Sequence, residues 1–193
     1  MKQMKNILKD GLIELADNTE WQASCSAVPK KADKVTGQIS YRIVQDYRRL
    51  NDATVPIQMV FPRIDHLVKT IGKFKYYTTL DCLSGYYHIA IPKEKRKYMA
   101  FGVTGMGTFQ PTRMFFGLKN APAIYQKTIQ MILSNEIVQD WCKVYIDDII
   151  IAADTKEELL ERTEKVIGLL TKGGFKLKLS KCEFEMDEVE ILG

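Results

Sequence analysis

The chain has 193 residues, 46% of them hydrophobic, and a formal charge of +4, enough for one substantial core or two small lobes sharing strands. No apolar run approaches the ~20 residues of a membrane span, and Met1-Lys2-Gln3-Met4-Lys5 lacks a secretory signal's apolar block, so a soluble intracellular protein is expected. Four scattered cysteines, Cys25, Cys82, Cys142 and Cys182, make no C-x-x-C pair and argue against a zinc site or disulfide framework, and His66 and His88 read as structural.

In chain order, Met4, Ile7, Leu8 and Leu12 predict a short opening helix interrupted at Gly11. Residues 40–44 read as a strand, followed by a turn or helical segment at Asp46-Tyr47-Arg48-Arg49-Leu50-Asn51. Aromatic and β-branched residues over 76–80 predict a strand that delivers Asp81 to its C-terminal end. Ile89-Ala90-Ile91 and residues 98–103 are expected to pair as strands across an exposed charged loop at 92–97. Gly102, Gly105 and Gly107 match neither the Walker nor the dinucleotide spacing and predict a hairpin turn.

Further on, Asn120-Ala121-Pro122 carries helix-start chemistry, with Ile124, Thr128, Met131 and Ile132 on the expected core face. Asp154-Thr155-Lys156-Glu157 opens the clearest helix in capping-box fashion. Leu159, Leu160, Thr163, Val166, Ile167 and Leu170 keep helical spacing up to Gly173-Gly174. Residues 175–179 resume strand-like alternation. With no linker or internal repeat, the pattern is one mixed α+β layered domain.

Chemistry concentrates at Asp147 and Asp148, set between the apolar runs Val144-Tyr145-Ile146 and Ile149-Ile150-Ile151. An ordinary hairpin turn can carry two aspartates. Beside a core sheet, however, adjacent carboxylates repel and lose hydration, and a bound Mg²⁺ is the natural compensation. Asp81 ends another strand, so these carboxylates could converge at one sheet edge. Two ions ~4 Å apart there would activate a 3′-hydroxyl and steady a departing pyrophosphate without a histidine base. Lys30, Lys31, Lys34, Arg42, Arg48 and Arg49, against Asp33 and Asp46, form a basic patch that suits phosphate contact or a solvated loop. Acids within 154–164 alternate with Lys156, Arg162 and Lys165 as a solvated helix face.

Tyr41-Arg42-Ile43-Val44-Gln45-Asp46-Tyr47-Arg48-Arg49-Leu50-Asn51, Phe61-Pro62-Arg63-Ile64-Asp65 and Leu80-Asp81-Cys82-Leu83-Ser84-Gly85-Tyr86-Tyr87 are followed by Phe116-Gly117-Leu118-Lys119-Asn120-Ala121-Pro122. Then come Tyr145-Ile146-Asp147-Asp148, Lys178 and Lys181-Cys182-Glu183-Phe184. In order and spacing these segments closely resemble the reverse transcriptases of gypsy-type LTR retrotransposons, and more distantly those of retroviruses and plant pararetroviruses, over nearly the whole chain. The loop at 32–38 is longer than the family's turn, and Gln110-Pro111-Thr112-Arg113-Met114-Phe115 departs from its pattern.

The resemblance implies an α+β right-hand polymerase palm, an antiparallel sheet backed by helices with a ferredoxin-like core, together with a fingers subdomain. Fingers would comprise residues 1–55 and 91–115, and palm residues 56–90 and 116–193. Glu190-Ile191-Leu192-Gly193 would open the primer grip, with the thumb absent, so that the fragment alone is weak or inactive. It implies RNA-directed DNA polymerase activity, with Asp81, Asp147 and Asp148 as catalytic metal ligands for two Mg²⁺ ions, Mn²⁺ substituting.

Arg42 and Lys30 or Lys31 would contact the triphosphate. Tyr86 would be the gate beneath the sugar, with Phe116 and Gly117 shaping the nucleotide pocket. Tyr145, Ile146, Asn120, Pro122, Lys178 and Lys181 would lie along template and primer. Expected partners are an RNA or DNA template with primer, dNTPs and the rest of a pol polyprotein (thumb, RNase H, integrase). A dimer is compatible, a membrane is not, and the expected location is cytoplasmic, within virus-like particles. The rival readings are a catalytically silent binding module and an RNA-dependent RNA polymerase, the latter disfavoured by Tyr86.

Overall fold

The computed structural model describes residues 2–17, 19–29, 39 and 41–189. In chain order the elements are α1 (Lys2–Lys9), β1 (Ile13–Leu15), β2 (Ala23–Pro29), β3 (Tyr41–Gln45), α2 (Arg48–Ala53), α3 (Ile64–Ile71), β4 (Tyr76–Asp81), α4 (Lys93–Arg96), β5 (Phe101–Val103), β6 (Gly107–Pro111), α5 (Ala121–Ile132), α6 (Ser134–Val138), β7 (Cys142–Tyr145), β8 (Asp148–Ala153), α7 (Lys156–Lys172) and β9 (Glu183–Met186). They form two compact units, one of Met1–Pro56 with Tyr86–Ala121, the other of Ile57–Gly85 with Pro122–Gly193. The chain passes between units after residues 56, 85 and 121, where the sequence reading placed the crossings after 55, 90 and 115. Local packing accounts for the middle crossing. A Cβ on Gly85 would lie 2.8 Å from the Tyr125 hydroxyl, which fixes Gly85 in the second unit, whereas the Tyr86 ring packs on Phe116 in the first.

The first unit is built on a five-stranded sheet in the order β1-β6-β5-β2-β3. Only the β2–β5 pairing is parallel, and the other pairings are antiparallel. Met4, Ile13, Tyr47, Phe101, Phe109 and Phe115 form its buried core. Large aromatic side chains at these positions let a small unit bury enough apolar surface to hold together. The glycine-rich segment is the β5–β6 hairpin, with Val103 opposite Gly107 and Gly105 at φ +75°.

One expected strand pair does not form here. Pro92 has φ −52° and caps α4, a 3-10 turn follows at Lys97–Met99, and Ala90 keeps only a single bridge to Arg113. Arg96 folds back, donating to the Ile91 carbonyl and pairing with Glu14 of β1 at 3.1 Å. The charged loop is thus wound and anchored, and β5 pairs with β6 instead.

The second unit carries an antiparallel sheet in the order β7-β8-β4-β9. Ile149, Ile150, Ile151, Ala152 and Ala153 of β8 are all buried, the signature of a central strand covered on both faces. Leu67 and Ile71 of α3 join Tyr77, Ile150 and Ala152 in one cluster, and α7 also packs on β8 and β4. Each buried isoleucine contributes roughly 1.5–3 kcal/mol, so β8 is a rigid base for the residues at its start.

In α7, Leu159, Thr163, Val166 and Leu170 face inward, while Leu160 is 54% exposed. Its cap is one residue later than the sequence suggested: Thr155 Oγ accepts the Glu158 amide, and the Glu158 carboxylate accepts the Asp154 amide. The charged face is less solvated than expected. Arg162 lies over the Phe74 and Trp141 rings, and Lys165 pairs with the buried Glu136 at 2.9 Å.

The buried stripe of α5 also differs from expectation. Its buried residues are Ala121, Ala123, Tyr125, Gln126 and Ile129, continued by Leu133 just past the helix end, and Met131 is 70% exposed. Spacings of three and four residues fit both stripes, and tertiary contact decides between them. Residues 175–179 are not a strand. Leu177 makes one bridge to Cys82, and a 3-10 turn follows at Leu179–Lys181.

Candidate active site

β4 ends at Asp81 and β8 begins at Asp148, and the two residues are direct cross-strand partners. Tyr145 pairs with Asp148 to close the β7–β8 hairpin, leaving Ile146 and Asp147 as its two-residue turn. Such turns favour residues with positive φ, and Ile146 has φ +53°. A β-branched residue there is strained. The buried Gln126 of α5 spans the turn: its Nε2 donates to the Val144 carbonyl at 3.0 Å, and its Oε1 accepts the Ile146 amide at 2.5 Å.

Directly opposed residues on antiparallel strands sit about 5 Å apart at Cβ. Like charges on such neighbours repel, and less where water screens them. Partial desolvation first, and then the charges of Asp81 and Asp148, hold the Asp147 carboxyl above its ordinary value. Desolvation and then Asp81 raise the Asp148 carboxyl in the same way, while Lys181 opposes both shifts. Both residues keep exposed surface, so a dissolved cation can reach them.

Lys181 supplies the local counter-charge. Its Nζ lies 2.9 Å from Asp81 Oδ2, although the lysine side chain is 57% exposed. The Asp81 hydrogen bond and charge raise the Lys181 ammonium above its usual value. The turn bearing Lys181 is tied to the same strand end. The Lys178 amide donates to the Asp81 carbonyl at 2.9 Å, the Asp81 amide donates to Cys182 Sγ, and that thiol donates to the Lys178 carbonyl. Cys82 is buried, and burial pushes its thiol up to about 11, which suits packing rather than nucleophilic chemistry.

Among the described residues, no three histidine, cysteine, aspartate or glutamate side chains form a ready metal-ligand group. The expected two-ion cage is therefore not preassembled, and Asp81 is turned to Lys181. The donors fit a hard divalent cation in kind: carboxylate oxygens at one sheet end, carrying repulsion that Lys181 only partly offsets.

Of the other predicted residues, Arg42, Tyr86, Phe116, Gly117 and Asn120 belong to the first unit, and Pro122 and Tyr145 to the second. The Tyr86 and Phe116 rings are 4.9 Å apart. Gly117 has φ +90° and is exposed, a conformation glycine adopts without cost. Asn120 donates to the Val55 carbonyl. Arg42 pairs through its backbone with Val28, but its side chain, like Lys30 and Lys31, lies outside the described residues. Pro122 stands in the first turn of α5, where a missing amide is harmless. Tyr145 packs on Phe61 with centroids 6.3 Å apart.

Asn51, which the sequence motif leaves without a role, has one in the structure. Its Nδ2 donates to the Gly117 carbonyl at 2.7 Å and its Oδ1 accepts the Lys119 amide at 2.8 Å, so it clamps the turn after Phe116. Gln126 was missed altogether. The available signal was an amide side chain beside Tyr125 on a helix rich in apolar residues.

Residues 28–193 match the family described as Reverse transcriptase (RNA-dependent DNA polymerase). The chain is 37% identical over 191 residues to a retrovirus-related Pol polyprotein from transposon 297 of Drosophila melanogaster, with 99% of this chain and 18% of that polyprotein covered. It is similar to a foamy viral protease-reverse transcriptase solved with double-stranded DNA (TM-score 0.86, 27% identity, 98% of this chain and 32% of that one). The same viral protein with an RNA/DNA hybrid gives a TM-score of 0.86 at 26% identity, over 98% of this chain and 24% of that one.

Proposed function

The chain belongs to the reverse transcriptase family, and from that membership we propose that it is the fingers and palm portion of an RNA-directed DNA polymerase. It adds nucleotides from dNTPs to a primer 3′-end on an RNA or DNA template. The observation that carries this reading is the register that sets Asp81 opposite Asp148, with Asp147 beside them in the hairpin turn. The second unit is the palm and the first the fingers.

Asp81, Asp147 and Asp148 would hold two Mg²⁺ ions, and such ions activate the 3′-hydroxyl and stabilise charge on the departing pyrophosphate. The chain's own work is positioning. β4 and β8 fix the carboxylates, and Lys181 releases Asp81 so that its oxygens become available. Tyr86, backed by Phe116, excludes a ribose 2′-hydroxyl, and Gly117 lets the backbone lie close to the nucleotide. Arg42 and Lys30 or Lys31 neutralise the triphosphate. Tyr145, Ile146, Asn120, Pro122 and Lys178 lie along template and primer.

The foamy viral complexes with double-stranded DNA and with an RNA/DNA hybrid support a primer-template as the partner. The chain covers 18–19% of the Pol polyproteins it resembles, which supports work inside a longer chain; thumb, RNase H and integrase alongside it, and a cytoplasmic location within virus-like particles, complete the proposal. The test is single-nucleotide incorporation by the chain extended downstream through its polyprotein, on RNA and DNA templates with Mg²⁺. Incorporation lost in Asp147→Asn upholds the reading, and equal incorporation by both forms refutes it.

A further inference from the structure

We infer that Gln126 is a positioning residue that sets Asp147 and Asp148 for metal binding by holding Ile146 in its left-handed conformation. The inference rests on the polymerase reading for its purpose, but on local geometry for its substance. Ile146 is the residue between Tyr145 and the paired aspartates, and its φ of +53° is disfavoured for a β-branched side chain. Left-handed backbone costs an L-residue roughly 1–2 kcal/mol, so the turn persists only where its surroundings fix it. The hairpin itself does not supply that constraint, because Ile146 and Asp147 lie outside the ladder that ends at Tyr145 and Asp148.

Gln126 supplies it from another element. The residue is fully buried, and its one amide group bonds the backbone on both sides of Tyr145: the Val144 carbonyl receives Nε2–H, and Oε1 receives the Ile146 N–H. An amide side chain is suited to this task because it offers a donor and an acceptor from the same planar group. Burial makes both bonds count, since an unpaired amide would be costly there. α5 is held in place by Tyr125 and Ile129, and by Leu133 just past its end, all fully buried, so its packing is transmitted to the turn. Asp147 follows the clamped residue directly, and a change of φ at Ile146 would swing the Asp147 carboxylate away from Asp81 and Asp148.

The test uses the 193-residue chain, with amide hydrogen exchange at Ile146 and Mn²⁺ binding followed by electron paramagnetic resonance. Gln126→Met preserves volume and removes both bonds. It should speed exchange at Ile146 by about tenfold, the equivalent of about 1.4 kcal/mol, and weaken Mn²⁺ binding by a similar factor. The loss of Mn²⁺ affinity should shrink in the Ile146→Gly background, because glycine adopts positive φ unaided. Unchanged exchange at Ile146, or an equal affinity loss in both backgrounds, overturns the inference.

Faster exchange with no Mn²⁺ bound by either form leaves the clamp on Ile146 standing and overturns its role in metal binding, whereas the polymerase reading fails only on nucleotide incorporation, so the two failures are distinct. If Gln126→Met does not fold, Gln126→Glu retains an oxygen for the Ile146 amide. Protection at Ile146 should then survive, and its loss in that variant overturns the assignment.

Discussion

Asp81 and Asp148 stand directly opposite one another on β4 and β8, an arrangement of like charges that a sheet normally avoids. The pairing lowers stability, and the isoleucines behind it on β8 tolerate the cost. A site whose charges oppose folding in the absence of a cation is suited to binding one.

Neutralising one member of that pair should therefore separate stability from activity. Asp148→Asn is expected to raise the unfolding free energy of the metal-free chain by about 0.5 kcal/mol, measured by urea denaturation. In the extended polyprotein, Asp81→Asn or Asp147→Asn should lower nucleotide incorporation by about a hundredfold or more. Near-normal incorporation would remove those residues from the mechanism.

The same charges predict how stability depends on pH. The folded-state values of Asp147 and Asp148 lie above the ordinary 3.8, so the folded chain binds more protons than the unfolded one. Their contribution to stability is full below 3.8 and is lost as pH rises through the raised values. Mg²⁺ at about a hundred times its dissociation constant should restore about 2.7 kcal/mol at neutral pH and little at about pH 4, where protons compete with the cation. Calorimetric unfolding with and without Mg²⁺ at both pH values checks this. A Mg²⁺ effect independent of pH would point to binding elsewhere.

Asn51→Ala removes both bonds that clamp the turn after Phe116, and should cost about 1–2 kcal/mol. Because that turn shapes the proposed nucleotide pocket, KM for dNTP should rise more than kcat falls. Asn51→Asp keeps the acceptor for the Lys119 amide and should fall between the two. Steady-state incorporation kinetics on the three proteins measure the order.

Tyr86→Ala should raise ribonucleotide use relative to deoxyribonucleotide use by about tenfold to a hundredfold. The lost ring contact with Phe116 should cost only about 0.5–1.5 kcal/mol. Competition between the two nucleotide types gives the ratio directly, and an unchanged ratio would place the gate at another residue.

Where local pattern governs, the sequence was readable. The strand ending at Asp81, the hairpin carrying Asp147 and Asp148, and the helix before Gly173 follow from alternation, turn chemistry and helical spacing. Elsewhere distant partners decided. Arg96 winds its loop against Glu14, 82 residues away, and so prevents the strand pairing that Ile89-Ala90-Ile91 suggests. The inward face of α5 is chosen by what it packs against, and its periodicity admits two answers. Asn51 bonds the Lys119 amide 68 residues away, and Lys181 pairs with Asp81 at a separation of 100 residues. Neither pairing leaves a trace in its immediate neighbours, so the carboxylates at the strand ends were legible and the residues that hold or pair with them were not.

The ammonium of Lys181 against Asp81 would bias the proposed metal site by valence. At Asp81 a sodium ion would exchange one unit charge for another that is already tethered, with little gain. A doubly charged ion can displace the ammonium and still neutralise Asp147 or Asp148. The lysine would thus set a threshold at Asp81 that favours a divalent over a monovalent ion.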